Sequence, residues 1–195
     1  MDQYIFIVFL LLTIAVALSA VRRSWATLFR WVVTALSVGY FAFWFVERSS
    51  EEGFVQNSMA VQVISKLPQP VDFYLIKIRN TEEVSRRYGL KHLGNIRPEH
   101  YRLEYLDMKN ADEFWVVGYL GKKNRVYFSQ HSVPNKNMDQ IIEVNNYINQ
   151  SHKLSEIAGK TVDVAREQDI RRAVWVTLSF LLIFLNVILL FKKVF

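Results

Sequence analysis

Four histidines, one cluster of acids and one cluster of bases are the side chains in this sequence best suited to chemistry. His92, His100, His131 and His152 are not read as a zinc site, which needs ligands converging at three- or four-residue spacing on a helix. Ser129 and His131 could supply a nucleophile and a base. The two are expected on opposite faces of the strand that would carry them, which disfavours a hydrolase. Asp107, Asp112 and Glu113 bracket a turn. Paired carboxylates divide acid and base work only where their surroundings separate their pKa values, and turn acids are ordinarily solvated. Gly118 and Gly121 do not form a phosphate loop, because the Walker and dinucleotide spacings are absent. The chain has no cysteine, which excludes disulfides, thiolate nucleophiles and cysteine metal sites. The expectation is therefore a protein that is not an enzyme, with no catalytic residues, cofactor or metal.

Lys122, Lys123 and Arg125 crowd the connection between two strand candidates. They could meet an anionic ligand: lipid headgroups, an anionic envelope polymer or an acidic partner. The same charges would also keep a sheet edge soluble.

These side chains must be positioned by a chain whose apolar residues are concentrated at its ends. Residues 4–20, 31–46 and 173–191 carry no charge. A helix crosses the ~30 Å hydrocarbon core with roughly 20 apolar residues. The second run reaches that length if Leu28 and Phe29 join it and Arg30 snorkels outward. Three transmembrane helices are expected, two N-terminal and one C-terminal. Met1-Asp2-Gln3 precedes the first run and Arg22-Arg23 follows it. That polarity suits an uncleaved anchor with its N-terminus outside rather than a signal peptide.

Arg22, Arg23 and Arg30 in the first short loop, with Lys192 and Lys193 in the tail, place both pieces in the cytoplasm. The net charge of +6 is thus explained by topology determinants beside anionic lipid. Residues 48–170 mix both signs and show no clustered basic face for nucleic acid. No Asp, Glu, Lys, Arg or His is expected inside a span, so an ion or proton pathway has nothing to run along. Ala15/Ser19 and Ala35/Gly39 are small residues at four-residue spacing, which lets helices approach closely. Asn186, alone and polar in the third span, should face another helix. These five residues are the expected partner contacts.

Between the spans, residues 51–66 suggest a helix through Phe54, Val55, Met59 and Val63, closed by Pro68 and Pro70. Residues 71–79 form a strand apolar on both faces. Asn80-Thr81-Glu82-Glu83 opens a short helix through Val84, Tyr88 and Leu90. Residues 100–106, 114–120 and 125–130 are strands, the last two joined as a hairpin. A helix from Met138 carries Ile141, Val144 and Ile148, and more helix follows, broken near Gly159. The predicted core is Phe73, Leu75, Tyr105, Trp115, Val117 and Phe128.

The expected organisation is two transmembrane helices over 1–47, an extracytoplasmic α+β domain with a mainly antiparallel sheet over 48–170, and a third transmembrane helix over 171–195. Such a chain suits a non-catalytic subunit of a cell-envelope complex in a bacterial inner membrane, with other membrane proteins as partners. The alternatives are an extracytoplasmic sensor, or a membrane-bound hydrolase or transferase acting on lipid or cell-wall substrate.

Overall fold

The computed structural model describes residues 2–21, 24–51, 58–79 and 88–191, without the side chains of residues 2 and 48–51. The expected basic determinants Arg22, Arg23, Lys192 and Lys193, and the helix start at Asn80–Glu83, lie outside the described residues. The architecture is α+β, with three helices and two mainly antiparallel sheets among the described residues. The chain divides into two units, Met1–Gly53 with Glu167–Phe195, and Phe54–Arg166.

The sheet unit contains β1 (Ser58–Ser65), β2 (Val71–Arg79), β3 (Tyr88–Ile96), β4 (His100–Asp107), β5 (Ala111–Leu120), β6 (Asn124–Ser132) and β7 (Gln140–Val144). One sheet has the order β4-β1-β7 and the other β3-β2-β5-β6. The second is antiparallel throughout; in the first, β7 runs parallel to β1.

Where three expected helices reach described residues the chain is in strands, and the spacing explains why; Phe54, Val55 and Val84 lie outside the described residues. In β1, Met59, Val61 and Val63 are buried at period two. The Met59–Val63 step of four fits a helix and a strand equally well, so the apolar pattern alone does not decide. In β7, Ile142 and Val144 point inward while Ile141 is exposed. Pairing with β1 decides the outcome. Tyr88 and Leu90 likewise belong to β3, paired with β2.

Sheet β3-β2-β5-β6 is covered twice. Phe73, Leu75, Phe114 and Val116 face the other sheet and pack with Val61, Val63, Leu106 and Val144. Tyr74, Ile76, Trp115, Val117 and Phe128 face the opposite way, onto Leu154, Ile157, Ala158 and Val162. Those last residues open helix α3 (His152–Phe191), which continues through Gly159 without the expected break. Tyr105 is a correction to the predicted core, at 47% exposure. It sits with Tyr101 and Leu103 on the outer face of edge strand β4. The inward face of β4 carries Glu104, paired with Lys91 at 2.5 Å, and Leu106.

The helical unit contains α1 (Asp2–Ala17), a 3₁₀ turn over Leu18–Ala20, α2 (Ser24–Glu51) and the remainder of α3. All three helices are long and apolar enough to cross a membrane. Phe6 and Phe9 meet Trp175, and Asn186 bonds to Leu12, so α1 and α3 run in the same direction. Phe41 stacks near Phe180 and Trp31 near Phe191, so α2 runs against them.

The double cover predicts unequal costs for two aromatic truncations. Phe114→Ala removes a fully buried ring and should cost about 3–5 kcal/mol. Tyr105→Ala should stay within about 0.5 kcal/mol of wild type. Near-ultraviolet circular dichroism during denaturation of the full chain in detergent would check both. Equal costs would place Tyr105 back in the core.

Candidate functional site

The turn joining β5 to β6 lies against the first turns of α3 and encloses an open cleft of ≈ 690 Å³. The hairpin lines it with Tyr119, Lys123 and Arg125, and α3 lines it with Glu156, Gly159, Lys160 and Asp163. Of the three bases expected at this tip, Lys123 and Arg125 line the cleft. Lys122 serves through its backbone instead, its carbonyl accepting from Arg166 Nη1 at 2.5 Å. Gly121 takes a φ of 68°, which favours glycine in this turn.

Gly159 has a steric reason. A Cβ there would stand 2.1 Å from Arg125 Nη1, so the guanidinium rests on the helix surface only because the side chain is missing. A glycine inside a helix costs roughly 1 kcal/mol against alanine and, when retained, usually marks close packing. Tyr119 stands 3% exposed beside Arg125. Its hydroxyl is closed off from solvent next to the Arg125 guanidinium. Burial pushes its phenol pKa up, so the proton stays on.

Arg166 fixes this corner from α3. Its Nε donates to the Tyr74 hydroxyl at 2.9 Å, and its Nη2 reaches Asp72 Oδ2 at 3.4 Å. The guanidinium lies 4.9 Å from the Tyr74 ring centroid and 4.6 Å from that of Tyr119. Burial alone would lower its pKa; the Tyr74 hydrogen bond and the Asp72 charge outweigh burial and hold it above the ordinary value. Tyr74 donates to Asp72 Oδ2 at 2.9 Å, and burial pushes its phenol up as well. A bulge in β3, with Gly94 at a φ of 81°, sets His92 opposite Tyr74. The imidazole stacks on that ring at 4.3 Å and meets Asp72 Oδ1 at 2.6 Å.

Sequence reasoning missed Tyr119, Lys160 and the whole Arg166 network. The one available signal was Gly159, a glycine in an otherwise helical pattern.

Ser129 and His131 require a correction. Alternate strand residues share a face, and Ser129 Oγ lies 2.8 Å from His131 Nε2. Ser129 is 1% exposed, and Phe114 stacks on the half-buried imidazole at 5.2 Å. A substrate would have no route to that hydroxyl. His152 and Glu156 do stand four residues apart, 3.9 Å from each other. Among the described residues, no group of three His, Cys, Asp or Glu side chains could hold a metal ion.

In the helical unit, Arg30 overturns two expectations. It belongs to α2, which begins at Ser24, and it lies within the candidate span Ser24–Glu47. It is 1% exposed rather than snorkelling, and its Nη2 donates to the Asn186 carbonyl at 3.3 Å. Asn186 is fully buried and donates to the Leu12 carbonyl of α1 at 3.2 Å. Ala15 is buried among the chain's own helices, and Ser19 is half-buried in the 3₁₀ turn. Ala35 and Gly39 face outward, and no atom stands within 4 Å of where a Gly39 Cβ would be.

No protein-family profile matches the chain, and neither a curated protein nor a solved structure is significantly similar to it.

Burial holds the His131 pKa below its ordinary 6.5. On acidification the unfolded chain therefore binds its proton first. The stability from this site is complete above the unfolded value and is lost as pH falls through the folded one. Wild type should accordingly lose stability relative to His131→Gln as pH drops from about 7 to about 5. A difference between the two proteins that stays constant over that range would show His131 to be freely hydrated.

Proposed function

We propose that this chain is a non-catalytic subunit of a cell-envelope membrane complex. In this reading it is held in a bacterial inner membrane by α1, α2 and α3, with residues 48–170 outside. Loop 21–23 and the C-terminal tail then lie in the cytoplasm. The parallel course of α1 and α3, with α2 reversed, supports the shared side of those two ends. The basic residues expected there support the side.

The observation that carries the proposal is the outer face of sheet β4-β1-β7. Tyr101, Leu103 and Tyr105 are 62%, 47% and 47% exposed along β4. Gln62 of β1 pairs with Leu103 on one side and with Ile141 of β7 on the other, and Ile141 is 67% exposed. Aromatic and aliphatic side chains on β4 and β7, flanking Gln62 of β1, form the kind of surface that marks association. On α2, Val32, Leu36, Phe43 and Val46 are exposed on the side of Ala35 and Gly39. That row offers a second, closely approachable face to a helix from a partner.

Purification of the tagged full chain from native membranes in mild detergent should recover other membrane proteins in fixed stoichiometry. Leu103→Asp should lower their recovery about tenfold, since it removes an apolar side chain worth about 1.5–3 kcal/mol when buried. Gly39→Leu should lower recovery of any partner bound through α2, while insertion and accumulation stay unchanged. If both variants recover the same proteins at wild-type levels, neither surface is the interface.

The native chain has no thiol, which makes topology directly testable. Cysteine at exposed Ser132 should react with an impermeant maleimide in intact cells, and cysteine at Ser24 should react only after permeabilisation. The reverse pattern would invert the chain in the membrane.

A further inference from the structure

We propose that the cleft between the β5–β6 hairpin and α3 binds a phosphate group. This goes beyond partner association, and its test is independent of whether partners are found.

The cleft differs from a solvated charged turn in how its donors are held. Arg125 is seated on Gly159, where any side chain would displace it. The hairpin turn is tied to α3 by the bond from Arg166 to the Lys122 carbonyl. Arg166 also covers the Tyr119 ring, which fixes the direction of the phenol. The Arg125 guanidinium thus stands over the helix surface at the cleft.

Donors approach from two sides: Lys123 and Arg125 from the β5–β6 hairpin, and Lys160 from α3. Among the described residues, no acid forms an ion pair with Lys123, Arg125 or Lys160. A planar carboxylate is served by one guanidinium fork. A tetrahedral phosphate, with oxygens pointing several ways, uses a fork and two ammonium groups together. Glu156 and Asp163 on the same helix face leave the lining with one net positive charge, which favours a singly charged ester over a polyanion. At ≈ 690 Å³ the cleft has room for more than the phosphate itself.

The experiment is amine-labelling protection on the full chain in phosphate-free detergent, read by mass spectrometry at each lysine. Titrated inorganic phosphate should protect Lys123 and Lys160 and leave Lys109 unchanged. Chloride and acetate at matched ionic strength should protect neither. Arg125→Gln should raise the half-protecting concentration about tenfold. The exposed Lys160→Gln variant should raise it similarly at Lys123 while keeping the wild-type thermal midpoint.

A parallel arm in phosphatidylglycerol nanodiscs separates the sources. Protection by inorganic phosphate in detergent indicates a soluble phosphate ligand. Protection confined to nanodiscs and lost in Arg125→Gln indicates a lipid headgroup. The proposal is overturned by protection in neither arm, by equal protection from acetate or chloride, or by both variants matching wild type.

Discussion

Strands β2 and β5 are apolar on both faces, and that double demand organises the sheet unit. Phe73 and Leu75 need cover on one side while Tyr74, Ile76 and Ile78 need it on the other. One face is met by sheet β4-β1-β7 and the other by residues 154–162 of α3. A sheet covered only once would leave Trp115, Val117 and Phe128 in water, and each loses roughly 1.5–3 kcal/mol or more by that exposure. The helix over this face consequently belongs to the domain's fold. Ala158 and Gly159 are small where α3 lies closest to the strands, and Val162 extends the same contact.

That apolar seam fixes where polar groups from α3 must fall. Arg166 lies four residues beyond Val162, one helical turn along the same side, and so arrives over Tyr74 and Tyr119 at the edge of the seam. Its charge is half-sheltered there, which strengthens its bonds to Tyr74 and Asp72 relative to a fully exposed pair. The cationic cleft lies on the other flank of Tyr119. One aromatic side chain thus has a structural face, against Arg166, and a hydroxyl edge toward Arg125. The position of the cleft follows from the packing of the helix on the sheet.

Local patterning made part of this legible. The three apolar runs, the two-faced strand at 71–79 and the hairpin at 114–130 carry their periods within short windows, and all correspond to elements of the structure. The failures share a physical cause. Residues 58–65 and 140–144 become strands through pairing with each other and with β4, partners far away in sequence. Tyr105 alternates as a core residue would, yet its edge strand turns that row outward. Arg125 alone was visible as a charge. Its seat required Gly159, its neighbour Tyr119 and the tie from Arg166, which no single window contains.

The helical unit resolves a different conflict. A guanidinium with little access to water is expensive unless polar groups surround it. Arg30 finds the Asn186 carbonyl near the end of α3, while Asn186 itself reaches the Leu12 carbonyl in α1. The C-terminal part of a helix carries partial negative charge, which favours a cation near that end of α3. One short polar chain therefore links α2 to α3 and α3 to α1 at the same end of the bundle. The outward side of α2 is apolar, small at Ala35 and Gly39 and large at Leu36 and Phe43. Association there would rest on close packing alone, which in lipid depends on shape. The polar residues hold the chain's own helices together, while Ala35 and Gly39 lie on the outward side of α2.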